Sequence, residues 1–293
     1  MAEQNVGRMT MDDQKDGLNM VEVEDQGHGD ALEGATSSSL WIYANLQTFV
    51  CLVAIFWVLR MIFVKTRPRW YSHLVKMCIE INFVKLEKWK EDLFAGLESI
   101  VSHDPNLRKK KAIKVLEIGV GTGANLPYYP KGTRLLAVDP NPYFKHYYDA
   151  NRKRFPNINS EDMILTTGDK MDMIPDNSVD AVVITYVLCS VPNIDPVLRE
   201  VLRVLAPGGK FYFLEHIAEF DLVKHGLRKK IQNVLDRVCV WYFIFNGCHL
   251  SRDTLAHIER TGFSSVDAQK YHAPVSSIIF DVDSPCVQGI AVK

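Results

Sequence analysis

Cysteine is sparse and scattered in this chain. Cys51, Cys78, Cys189, Cys239, Cys248 and Cys286 include no C-x-x-C pair. That spacing argues against a disulfide framework and against a zinc site, and it suits a reducing compartment. Charge imbalance is missing too: the 293 residues carry a formal net charge of -1, which implies no nucleic-acid partner. Aromatics and sustained periodicity are absent from residues 1–40. Acids such as Glu3, Asp12, Asp13, Glu22, Glu24, Asp25, Asp30 and Glu33 face only Arg8 and Lys15 there, so this stretch reads as a disordered acidic tail.

Polar residues then become rare. From Trp41 to Val64 only Asn45, Gln47, Thr48 and Arg60 are strongly polar, and Phe49 to Leu59 is uninterrupted. The run is long enough to cross a bilayer as a helix, with Arg60 snorkelling to the interface. A long acidic region precedes it, unlike a cleavable signal peptide. Lys65, Arg67 and Arg69 follow at once, which places the downstream domain in the cytosol. A hairpin insertion and a buried core helix are the alternatives. Residues 65–112 read as a basic amphipathic helical linker. Trp70, Leu74, Met77, Ile81 and Phe83 mix with Lys76, Lys85, Lys88 and Lys90, and such a helix can lie on a membrane or pack on the domain.

The stretch Lys114 to Leu126 organises the rest. A β-branched apolar run ends in Glu117, and Gly119, Gly121 and Gly123 then alternate with small residues. This is the pattern of a buried parallel strand turning sharply into a helix, with glycines letting backbone approach a nucleoside. Gly119, Gly121 and Ala124 also fit a dinucleotide loop. Glu117 shifts the balance, because an anion there repels a pyrophosphate and suits a ligand with an ammonium group, such as S-adenosylmethionine (SAM).

Alternating strands and helices follow. Arg134 to Asp139 forms a second strand, and Asp139 stands where an acid hydrogen-bonds ribose hydroxyls. A third strand is expected at Met163 to Thr167, leading to Asp169, placed either to accept from an adenine amine or to cap a turn. The fourth, Val179 to Tyr186, should end in the same crevice. A helix at Val197–Leu205 stops at Ala206-Pro207-Gly208-Gly209. A fifth strand, Lys210 to Glu215, delivers Glu215 and His216 to the site edge. Residues 217–250 read as irregular and partly helical, followed by a helix at Leu255–Thr261. Ser264–Lys270 and Val287–Val292 form a closing antiparallel pair. The sum is an α/β fold with a seven-stranded, mostly parallel Rossmann-like sheet, occupying residues 113–293.

This set of residues resembles the class I SAM-dependent methyltransferases. Narrower matches are Gly121-Thr122-Gly123-Ala124-Asn125, Asp139-Pro140-Asn141-Pro142, Val187-Leu188-Cys189-Ser190-Val191, Glu215-His216 and the terminal Ala291-Val292-Lys293. They are similar to the membrane-anchored thiol S-methyltransferases, the methyltransferase-like type 7 group, over about Lys114 to Lys293. Val120 stands where a cysteine is common in that family, and the acidic tail is additional. The resemblance implies a cytosol-facing enzyme of endoplasmic reticulum and lipid-droplet membranes. Its partners would be membrane lipid and small lipophilic thiols, with SAM as cofactor and no metal. Glu117, Gly119, Gly121, Gly123, Asp139, Asp169 and Tyr186 would bind SAM.

Methyl transfer from a sulfonium is an in-line displacement, accelerated chiefly by alignment. A thiol already supplies some thiolate at neutral pH, so at most one modest base is needed. His216 is the candidate for base or acceptor positioning, with His249 a weaker one. Cys189 and Cys248 read as packing residues. The acceptor pocket is expected within Ile217–Leu250, including Trp241, Tyr242 and Phe243, or else that run is core. Competing readings are a methyltransferase for a quinone or phospholipid, a non-catalytic membrane scaffold, and, more distantly, a nicotinamide oxidoreductase.

Overall fold

The computed structural model describes residues 26–81, 87–275 and 277–293, and the chain divides into two units, Met1–Val64 and Lys65–Lys293. Helix α1 covers Gln26–Ile81 with Pro68 inside it. Pro68 has no N–H to give the Val64 carbonyl, so the helix ladder lacks a rung where the units part. In the first unit, Trp41, Phe49, Leu52, Phe56, Trp57, Leu59 and Ile62 are all exposed. From Asn45 onward α1 is long and apolar enough to cross a membrane. Of the expected acidic tail, residues 1–25 lie outside the described residues. From Gln26 the backbone is helical, and Ala31, Leu32, Glu33 and Ala35 are strong helix formers.

The second unit continues with α2 (Glu87–Phe94), α3 (Pro105–Lys109), β1 (Lys114–Ile118), β2 (Arg134–Val138) and α4 (Lys145–Arg152). Then come β3 (Asn159–Ser160), β4 (Val179–Thr185), α5 (Ile194–Val204), β5 (Leu205–His216), α6 (Leu222–Arg237) and α7 (Val240–Ile244). Helix α8 (Thr254–Glu259), β6 (Ser265–His272) and β7 (Pro285–Val292) complete the chain. The sheet order is β3-β2-β1-β4-β5-β7-β6, with β7 antiparallel to both neighbours and the other pairs parallel. Side chains alternate between two buried faces, as a covered parallel sheet requires. Leu116, Ile118, Val182, Ile184, Phe211 and Phe213 meet Val197 and Val201 of α5 and Ile258 of α8. Val115, Ala137, Val183, Tyr212 and Leu214 meet Phe94, Leu97, Phe144 and Tyr148.

The basic stretch 65–112 supplies much of that second cover. Tyr71, Val75 and Trp89 pack against the core, and Trp89 stacks on Tyr271 with ring centroids 3.9 Å apart. Among the described residues, the stretch packs on the domain; Phe83 and Lys85 of the expected stripe lie outside them.

Beyond shifts of a few residues at element ends, three assignments differ from expectation. The third strand is Asn159–Ser160, and the apolar run after it makes only an isolated bridge, Val138 to Ile164. Beyond Ile164 the chain turns away, with Thr166 Oγ1 donating to the Lys170 carbonyl. Strand β5 begins at Leu205, because the register slips between Val179↔Leu205 and Ala181↔Lys210 and leaves Pro207-Gly208-Gly209 as an irregularity within it. Residues 217–250 are largely helical, as α6 and α7.

Asp180, at 4% exposure, ties the segment before β1 to the sheet. Its carboxylate accepts from Ser102 Oγ at 2.7 Å and from the backbone N–H groups of His103 at 2.6 Å and Lys114 at 2.8 Å. Asp180→Ala strands these donors and is expected to cost about 2–4 kcal/mol, read as a lowered denaturation midpoint. An unchanged midpoint would show that the tie carries no stability.

Candidate active site

A cavity of about 930 Å³ opens at the carboxyl ends of β1, β2 and β4, where open parallel sheets bind ligands. Glu117, Gly119, Gly121, Asp139, Asp169, Tyr186 and His216 all line it; Gly123 does not. The glycines divide the work unevenly. A Cβ on Gly119 would stand 2.2 Å from Val187 Cγ2, and one on Gly123 would stand 2.8 Å from Leu126 Cδ1. Those two are therefore packing requirements. Only at Gly121 is the space open, with φ +51° and nothing nearer than 4.0 Å.

Glu117 is buried at the end of β1. Its Oε1 accepts from Asn125 Nδ2 at 2.8 Å and its Oε2 from the Tyr129 hydroxyl at 2.7 Å. Lys90 Nζ donates to the other end of the Asn125 amide at 2.8 Å. Burial pushes the Glu117 carboxyl up to about 7, against the pull of Tyr129, Asn125 and Lys90. Burial likewise lowers Lys90 to about 8, against the attraction of Glu117. Lys90 was missed in the sequence, where nothing links a lysine before β1 to the glycine loop; only the packing of α2 brings it into the cavity wall.

Asp139 accepts from the Gly121 N–H at 2.9 Å and the Asn141 N–H at 2.8 Å. One bond per oxygen leaves acceptor capacity for a ligand hydroxyl. Burial raises this carboxyl to about 6 despite both bonds. Asn141 Nδ2 in turn donates to the Pro68 carbonyl at 2.8 Å, which seats the part of α1 after Lys65 at the cavity rim. Asp169 is exposed at the edge. Tyr186 takes φ +58°, a conformation costly for an aromatic residue and typical of a site that over-determines its backbone.

Glu215 is a loop anchor. Fully buried, it accepts from the N–H groups of Val187 at 2.9 Å, Leu188 at 3.0 Å and Cys189 at 3.1 Å. His216 beside it packs against Tyr186, centroids 4.3 Å apart. Its Nδ1 lies 3.9 Å from both Cys189 Sγ and Cys248 Sγ, and its Nε2 lies 3.9 Å from Asp283 Oδ2. Burial opposes charge on this ring, but Cys189, Asp283 and Glu215 outweigh it and lift the ring to about 9. The acceptor side differs from expectation. Trp241 is buried in a small core with Cys189, Cys248 and Leu250, and the residues lining the cavity there are Phe245, Asn246 and Phe280 rather than Trp241, Tyr242 or Phe243. His249 is not in the wall either; burial lowers its ring below the ordinary range.

A seven-stranded sheet of this order, with an acidic residue and a glycine loop at the end of β1, defines a class I methyltransferase. The methyltransferase domain family model matches residues 116–213. Human thiol S-methyltransferase TMT1A is 35% identical over 225 residues, covering 77% of this chain and 86% of that protein. Mouse thiol S-methyltransferase TMT1B is 35% identical over 224 residues, covering 76% and 86%. The methyltransferase solved with the Haloferax volcanii Trm112 activator shares the fold. Its TM-score is 0.51 at 15% identity, covering 77% of this chain and 96% of that one. The chain belongs to the thiol S-methyltransferase family and is a SAM-dependent methyltransferase. The cavity fits that cofactor chemically: it offers a buried carboxyl suited to an ammonium, a second one with spare acceptor capacity, and an open wall beside Gly121.

Glu117 also sets a pH dependence. Its folded carboxyl sits at about 7 against an ordinary 4.5. The stability it contributes is therefore complete below about 4.5 and lost as pH rises through about 7. The ligand-free protein is expected to lose on the order of 3 kcal/mol from this group between about pH 5 and pH 8. Glu117→Gln should flatten the profile of melting temperature against pH; an identical slope in the variant would contradict the assignment.

Proposed function

We propose that this enzyme transfers the methyl group of SAM to the sulfur of small lipophilic thiols. The observation that carries the reading is the family-wide match, with a cavity pairing a charged cofactor end and an apolar end. At the charged end, Glu117 receives the ammonium group, Asp139 the ribose hydroxyls and Asp169 the adenine amine. Gly119 and Gly121 shape the loop beside them, while Gly123 holds the loop against Leu126. Tyr186 covers the reacting centre. At the other end, Phe245 and Phe280 offer an apolar surface to an alkyl chain. Both ring nitrogens of His216 face protein groups, which suits acceptor positioning better than proton abstraction. SAM supplies an activated methyl group; the chain's own task is to align a sulfur behind it and exclude water.

The proposed setting is a membrane, with the domain on the cytosolic side. The apolar helix followed by Lys65, Arg67 and Arg69 supports this. So does α6. Leu227, Ile231, Val234 and Val238 are exposed at helical spacing after the kink at His225, Val223 before it is 97% exposed, and Ile278 and Ile279 are exposed as well. Lys224, Lys230 and Arg237 flank the α6 residues, the composition of an interfacial helix. The endoplasmic reticulum and lipid droplet are carried by the family resemblance alone.

The purified full chain, given labelled SAM and a panel of an alkyl thiol, a quinol and a phospholipid amine, tests the acceptor. Transfer to the thiol alone is expected. Asp139→Ala should weaken SAM binding roughly 30- to 100-fold through its lost charged hydrogen bonds. Transfer to the quinol or the amine instead would replace the acceptor while keeping the cofactor. Leu227→Glu with Val234→Glu is expected to raise KM for a long-chain thiol presented in vesicles but leave KM for a short water-soluble thiol unchanged. An equal rise for both thiols would refute the interfacial role of α6.

A further inference from the structure

Cys189 and Cys248, distant in sequence, converge with His216 at the wall of the cavity. The two sulfurs and the ring nitrogen lie within 4.8 Å of one another, with Nδ1 3.9 Å from each sulfur. Four further contacts hold this arrangement. Glu215 accepts from the Cys189 N–H, and the His249 N–H donates to the Cys189 carbonyl at 2.9 Å. Arg252 Nη1 donates to the carbonyls of Leu188 and Val191, both at 2.7 Å. Both cysteines are buried, whereas His216 and the neighbouring Ser190 line the cavity.

We propose that Cys189, Cys248 and His216 form a three-ligand zinc site whose fourth position faces the acceptor end of the cavity and binds the substrate thiol as a thiolate. Two thiolates and an imidazole are donors that favour zinc over hard cations. A tetrahedral zinc ion, at about 2.3 Å from sulfur and 2.0 Å from nitrogen, sets its ligands about 3.5–3.8 Å apart. The 3.9 Å from Nδ1 to each sulfur needs a closure of about 0.4 Å, and the sulfur pair, within 4.8 Å of each other, closes by at most about 1 Å. The other ring nitrogen faces Asp283, whose Oδ2 is 3.9 Å away and whose Oδ1 is buried with no hydrogen-bond partner. A carboxylate behind a ligating histidine fixes the ring's tautomer and orientation. Among the described residues no fourth histidine, cysteine or acid joins the group, and three protein ligands are the mark of an open, reactive zinc site.

The role of the fourth position rests on the thiol reading above. A thiol entering it loses its proton to solvent water and keeps its sulfur electron pair on the ion. That pair forms the new S–CH3 bond while the donor's C–S bond breaks, its electrons passing to the departing sulfur. The product thioether is neutral and a poorer ligand, so it leaves.

The test uses the full chain in detergent, reduced and stripped with a chelator, then titrated with zinc alone and with cobalt(II) as a spectroscopic probe. Uptake of one ion per chain is expected, with a thiolate-to-cobalt charge-transfer band and intense tetrahedral bands. Cys189→Ser and Cys248→Ser should each lose the band, while Cys51→Ser and Cys239→Ser, both at exposed positions, keep it. Asp283→Asn should lower zinc affinity by about tenfold. SAM binding by each variant reports that it is folded. No uptake by the reduced wild-type protein, or a band that survives Cys189→Ser with Cys248→Ser, overturns the site. If the stripped enzyme methylates an alkyl thiol as fast as the loaded one, the fourth-position role fails while the thiol reading stands. If zinc binds but no thiol is methylated, the site stands and the thiol reading fails.

Discussion

A carboxylate buried at the end of the first strand is the constraint around which the domain is built. Glu117 cannot be left bare in a low-dielectric interior, because an unpaired charge there costs several kcal/mol. Tyr129 and Asn125 come from the segment after the glycine loop, and Lys90 reaches Asn125 from α2. Satisfying one acid thus fixes the loop, the 3-10 turn at Leu126–Tyr128 and the helical segment that precedes the sheet. The same surroundings leave the carboxyl poised near neutrality, ready to respond to a cation.

A second buried acid does comparable work across the cavity. Glu215 gathers three consecutive N–H groups and so shapes the turn that carries Val187, Cys189 and Ser190. Val187 then presses on Gly119 closely enough to forbid a side chain there. The two sides of the cleft are coupled through that contact. The glycine loop and the β4 turn are one packed unit, and Tyr186, held at positive φ between them, is part of its wall.

The exposed apolar surface has a separate logic. Helix α6 keeps Arg228 and Gln232 turned inward, to Glu219, Asp281 and the Val282 carbonyl. Leu235 packs on the small core of Trp241 and Cys248, while Leu227, Ile231, Val234 and Val238 are exposed. Large contiguous apolar patches are uncommon on a monomer bathed in water and mark interaction surfaces. The proposed bilayer would satisfy this face by the same physics as the apolar N-terminal helix.

Local pattern was enough to read the sheet, the glycine turn, the position of Glu117 and Asp139 at the strand ends and the family, because strand periodicity and motif spacing are properties of neighbours along the chain. It was enough for the apolar helix as well, since length and composition decide that. Lys90, the Glu215 clasp, the burial of Trp241 and the meeting of Cys189, Cys248 and His216 were not legible. Each depends on residues brought together only when the sheet is assembled and its two faces are covered. The strand misplaced at Met163–Thr167 shows the same limit from the other side. Its apolar residues fit a strand, but Thr166 turns the chain after one bridge. Sequence determined which chemistry the chain carries; tertiary packing decided which of its groups face one another, because hydrogen bonds and ligand geometry are short-range and exist only between atoms already in place.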